Sequence, residues 1–86
     1  MPTISTFYGI LIQMFWNDHA PPHFHVRYAD SRARVSIQEL KIISGSLPRT
    51  AERLVFEWAH LHQEELMENW LLCESQARPA KIDPLP

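Results

Sequence analysis

The sequence predicts an α+β domain: an antiparallel meander of three to four strands packed against one long C-terminal α-helix. Three observations carry this. Residues 23–28 and 32–38 alternate apolar and polar with a period of two, the mark of half-buried strands. Turn-forming residues separate these segments at Ala29-Asp30-Ser31 and Ser44-Gly45-Ser46. After Pro48, no Gly or Pro interrupts the chain until Pro79.

Tyr8 to Trp16 is rich in β-branched and aromatic residues and reads as the first strand. Ile10, Ile12, Met14 and Trp16 share one face; Leu11, Gln13 and Phe15 share the other. Apolar residues on both faces predict a central, covered strand. A corner at Asp18–Pro22 follows. On the next strand Phe24, Val26 and Tyr28 face one way, and His23, His25 and Arg27 the other. Arg32 to Gln38 sends Ala33, Val35 and Ile37 inward, and a short apolar piece spans Leu40 to Ile43 before the Ser-Gly-Ser turn.

Ser46 is the expected N-cap of the helix, with Pro48 in its first turn. The helix should run from Pro48 to about Gln76, bent near His60–His62, and end before Pro79. At 100° per residue, Ala51, Leu54, Val55, Trp58, Leu61, Leu66, Leu72 and Cys73 form the apolar arc. His62, Glu65 and Asn69 fall inside that arc and need hydrogen-bond partners there. Phe56, Met67, Trp70 and Leu71 lie opposite, an apolar outer face suited to a protein partner or a homo-oligomer.

At 86 residues and 45% hydrophobic content the chain makes a single domain. Its boundaries are read as 1–78, followed by a Pro-rich extended tail at 79–86 that is either free or laid across the domain. The net charge of -2 carries no basic signature, so any nucleic-acid contact requires a local patch. A lone Cys73 excludes an intramolecular disulfide and suits a reducing cytosol. No signal peptide or stretch of about 20 apolar residues is visible, so a soluble cytoplasmic protein is expected. With only Gly9 and Gly45, no glycine-rich phosphate loop is available.

Three of the five histidines, His19, His23 and His25, fall within seven residues around Pro21-Pro22. H-x-H plus one further His is a recurring divalent-metal arrangement that leaves an open position for water. The same histidines could instead act in catalysis, contact RNA, or cap strand ends and pack on Trp16 and Phe24. His62 with Glu65 could be a catalytic base and its orienting carboxylate, a pair of metal ligands, or a buried network fixing helix on sheet. Strand parity separates the two groups, since His23 and His25 point away from the face that the helix covers. Arg27, Arg32 and Arg34 lie beside His25 on the polar sheet face. Guanidinium forks there could hold RNA phosphates or simply be solvated.

The combination of Met-Pro-Thr-Ile-Ser-Thr-Phe-Tyr-Gly, Asn17-Asp18-His19 with Pro21-Pro22-His23-Phe24-His25, Gly45-Ser46-Leu47-Pro48, and Glu57-Trp58-Ala59 with His62, Glu65-Leu66 and Asn69-Trp70 resembles one small bacterial family. It is the domain-of-unknown-function family four-one-six-zero, and the resemblance covers nearly the whole chain. It implies a small, stand-alone bacterial protein with no established activity. Its gene is then expected beside that of a second small protein, in an arrangement like a toxin–antitoxin pair. The chain matches the family pattern at His19, His23, His25, His62 and Glu65, and has Ala20 where similar members often carry a third proline.

Two functions are therefore expected to compete. The first is an interaction module, one half of a toxin–antitoxin-like operon, binding the neighbouring gene's small protein and RNA. The alternative is a metal-dependent hydrolase-like enzyme with His19, His23 and His25 as ligands of a divalent ion and His62 or Glu65 as base.

Overall fold

The computed structural model describes residues 2–86, so Met1 at the head of the N-terminal motif lies outside it. The fold is α+β, with five antiparallel strands in one sheet followed by two helices. The strands are β1 (Thr3–Phe7), β2 (Ile10–Gln13), β3 (His23–Tyr28), β4 (Ser31–Ser36) and β5 (Ile42–Ser46), ordered in space as in sequence. The helices are α1 (Arg49–Leu61) and α2 (Gln63–Glu74). No helix is long and apolar enough to cross a membrane among the described residues.

The expected three to four strands are five. The first expected strand is shorter than read, because Tyr8-Gly9 is a hairpin turn joining β1 to β2, with φ of 51° and 78°. Two successive positive φ values suit the right-handed twist of the paired strands. A tyrosine in the first position conceals that turn from sequence inspection. The Ser44-Gly45-Ser46 piece is likewise not a turn but part of β5. Gly45 holds φ at 79°, and a Cβ there would lie 2.1 Å from the Arg32 carbonyl oxygen, so only glycine lets β5 approach β4 this closely.

The expected single helix breaks at His62, whose φ and ψ of -121° and 24° leave the helical region. Its N–H is shared between the carbonyls of Trp58 (3.1 Å) and Ala59 (3.2 Å). On a straight helix Trp70 would sit about 120° from Trp58 and face outward. Beyond the break it is buried, while Leu61 and Leu71 are exposed. Phe56 and Met67 pack partly against the core, so the expected outer face of Phe56, Met67, Trp70 and Leu71 does not form one exposed patch. Gln63 anchors the start of α2 by donating from Nε2 to the Ile37 carbonyl at 2.7 Å.

Other boundaries differ in physically simple ways. Ser46 ends β5, and Pro48 is the N-cap of α1 without a side-chain cap bond. The α2 C-terminus closes with Gln76 at φ 62°, Gln76 N–H on the Cys73 carbonyl and Ala77 N–H on the Leu72 carbonyl. That bond pattern is the one a glycine usually serves.

The core lies between the sheet and both helices, with Leu66, Trp70 and Cys73 of α2 buried beside Ala51, Val55 and Trp58 of α1. Trp58 is fully buried, its ring 5.3 Å from Phe7 and 5.9 Å from Phe24 between centroids. Its indole N–H would be a buried orphan without the tail: it donates to the Asp83 carbonyl at 2.8 Å. Asn69 is satisfied the same way, exchanging two 2.8 Å bonds with the Ala80 backbone. Ile82 is buried and donates its N–H to the Ile4 carbonyl. The tail thus lies across the domain and supplies partners to polar atoms of its core.

Candidate functional site

The loop between β2 and β3 turns at Asn17, with φ of 55°, and passes a cis Ala20–Pro21 peptide before β3 starts at His23. This path returns Asp18 against the start of β3. Asp18 Oδ1 accepts the backbone N–H of His19 at 2.9 Å, which fixes the carboxylate. Its Oδ2 lies 2.8 Å from His25 Nε2 and 3.0 Å from His23 Nε2. Asp18, His23 and His25 each offer a ligand atom, all within 4.8 Å of one another, the one such group among the described residues.

The two histidines are held differently. His23 is 1% exposed and packs on Trp70, with 5.3 Å between ring centroids. Its Nδ1 lies 2.8 Å from the Pro21 carbonyl oxygen. A carbonyl only accepts, so Nδ1 carries a proton and Nε2 is the atom turned toward Asp18. Although 3.0 Å from Oδ2, that buried Nε2 lacks the alignment of a hydrogen bond and has no other partner. His25 is partly exposed, meets the edge of Phe15 at 4.4 Å, and makes an aligned contact with Asp18.

Burial works to raise the Asp18 carboxyl. The His25 hydrogen bond, the His19 N–H and the nearby His23 and His25 outweigh it and hold the carboxyl below its usual range. Burial pushes the Cys73 thiol up, and the Asp18 charge adds to it. Cys73 is a buried core residue.

His19 stands apart: its side chain is exposed, and its contribution to the cluster is the backbone N–H. Asp18 occupies the third position that spacing among histidines suggested for His19. The signal was present as a carboxylate in the same Asn-Asp-His loop, but reading only histidines passes over it.

His62 and Glu65 form a second His–carboxylate pair, Nδ1 to Oε1 at 2.5 Å, one turn apart on the helix. His62 also lies against Trp58. The pair is not buried as expected, since Glu65 is half exposed, and it does not belong to the Asp18 group. Only Asn69 of the helix trio is fully buried.

The basic residues do share one surface. His25 stands opposite Arg34 and Arg27 opposite Arg32 on the paired strands β3 and β4. With Gln13, Phe15 and Ser44 they line a shallow cleft of about 360 Å³. Arg34 Nε donates to Ser44 Oγ at 2.7 Å. Among the described residues, no ion pair involves Arg27, Arg32 or Arg34.

No curated protein and no solved structure matches the chain. A family model does match, over residues 9–71, a span that includes the Asp18 corner, the arginine face and the His62–Glu65 pair. The chain belongs to the family described as Domain of unknown function (DUF4160).

Proposed function

We propose that the protein is an RNA-binding interaction module, one half of a toxin–antitoxin-like pair, that takes phosphates on the basic face of its sheet. One observation carries the reading: Arg27 and Arg32 are directly paired across β3 and β4, beside Arg34, without a carboxylate partner. Like charges placed directly opposite destabilise a sheet, by a few tenths to about 1 kcal/mol. An anionic ligand turns that cost into binding, because planar guanidinium groups on adjacent strands match phosphate oxygens bidentately. Phe15, at the rim of the same cleft, offers a ring on which an unpaired base can stack. The overall charge of -2 makes the patch local, so binding should be modest and salt-sensitive.

Fluorescence anisotropy with a short single-stranded RNA, titrated at several salt concentrations, tests this. Arg32→Ala with Arg34→Ala should weaken binding at least about tenfold and reduce the salt slope by roughly one to two. No binding at low salt, or unchanged binding by the double variant, would overturn the RNA reading. The protein-partner half is tested by co-expression with the neighbouring gene. A co-purifying complex supports it, and failure to associate together with no growth effect removes it.

A further inference from the structure

We infer that Asp18, His23 and His25 form a binding site for a divalent first-row transition-metal ion, with Zn²⁺ the best-suited candidate. Their ligand atoms lie within 4.8 Å of one another, brought together from the loop and from two alternate positions of β3. A tetrahedral ion with bonds of about 2.0–2.2 Å needs its ligand atoms roughly 3.3 Å apart, and Asp18 Oδ2 lies 3.0 and 2.8 Å from the Nε2 atoms of His23 and His25. Two imidazoles and one carboxylate are a donor set suited to zinc and its neighbours, and poorly suited to magnesium or calcium.

An independent observation points to the ion itself. His23 is almost wholly buried, and its Nδ1 proton is committed to the Pro21 carbonyl. Its Nε2 is left without a hydrogen-bond partner, directed into the cluster and 3.0 Å from a carboxylate oxygen. At 3.0 Å the Nε2 and the carboxylate oxygen need positive charge between them, which either a proton on the ring or a metal ion bound to both atoms supplies. The Nδ1–H to carbonyl bond is also the outer-shell contact by which metal-bound histidines are usually oriented.

The surroundings fit an inner-shell site with an open position. Trp70 and His23 close one side, and Phe15 lies against His25 on another. Asp18 and His25 retain partial exposure, so an ion can enter and a water or ligand can complete its shell. The inference does not rest on the RNA reading: the ligands differ from the arginines, and only His25 is common to the cluster and the cleft.

The test uses the full chain without a histidine tag, freed of metal by chelator and titrated with Co²⁺, followed by the visible absorption of the bound ion and then displacement with Zn²⁺. One saturating equivalent, and a rise in the unfolding temperature with Zn²⁺, are expected. Asp18→Asn and His25→Gln replace partly exposed side chains, and circular dichroism checks that both remain folded. Each should weaken Co²⁺ binding at least as much as loss of an outer-shell partner does, roughly 10–100-fold. His19→Ala and His62→Ala should bind within about twofold of the parent. Absence of saturable binding, equal affinity in Asp18→Asn and His25→Gln, or a loss confined to His19→Ala would each overturn the inference. RNA binding by chelated protein separates this site's failure from failure of the arginine face.

Discussion

The corner at Asp18–His23–His25 and the helical pair His62–Glu65 use the same chemistry, imidazole against carboxylate, in opposite ways. The corner gathers residues from a loop and a strand and fixes two of the three through the backbone: Pro21 orients His23, and the His19 N–H orients Asp18. The helical pair is local, three residues apart, with its carboxylate half in water. A pair of that kind is screened and contributes little. The corner leaves a buried nitrogen without an aligned hydrogen bond, 3.0 Å from a carboxylate oxygen. Spacing along the chain therefore says less about a site than what holds each ring.

Substitutions in chelator-treated protein, measured by urea unfolding, should separate the two regions. His23→Ala removes a buried ring between Trp70 and His25 and leaves the Pro21 carbonyl unpaired; about 3 kcal/mol of destabilisation is expected. A value under about 1 kcal/mol would put the corner on the same footing as the helical pair. Next is Asn69→Ala, which strands the N–H and carbonyl of Ala80; a loss of about 2 kcal/mol is expected, with earlier proteolysis of the tail. That result would show that the helix stripe matters where it docks the tail, not at His62.

Asp18→Asn should cost about 1 kcal/mol near neutral pH. Its pH dependence has a definite sign. The folded carboxyl lies below its ordinary value of 3.8, so its contribution is present above that pH and is lost as pH falls through the lower folded value. The stability difference between parent and Asp18→Asn should therefore shrink below about pH 3.8; a constant difference would remove the charge from the account. The smallest effects belong to His62→Ala and Glu65→Gln, each within about 0.5 kcal/mol. A larger loss would mean that the break between α1 and α2 depends on this contact.

Much of the fold was legible because period and punctuation are local. The alternation in His23–Tyr28, the inward Ala33, Val35 and Ile37, and the Gly- and Pro-free helical stretch followed from residue order, whereas its division into two helices did not. What escaped was decided by unusual backbone. Tyr8 and Gln76 occupy left-handed positions normally marked by glycine, so a hairpin and a helix end carried no signal. Gly45, which does look like a turn, is instead a close approach between strands. Of the site, His25 and the arginine rows were legible from strand parity, whereas His23, expected on the polar face, is buried against Trp70 of α2, and Asp18 escaped because its role depends on how the loop returns.

By itself the sequence determined the α+β class, a cluster of histidines around Pro21-Pro22, and a basic face made by alternate residues of two paired strands. These follow from side-chain periodicity, a property of neighbours along the chain. Only the tertiary structure decided which carboxylate meets which imidazole, that Trp70 turns inward past the break at His62, and that the tail satisfies Trp58 and Asn69. Those outcomes depend on burial, where every polar atom needs a partner that chain order does not name. The Nε2 of His23, buried with that need unmet, is what turns the histidine corner into a candidate metal centre.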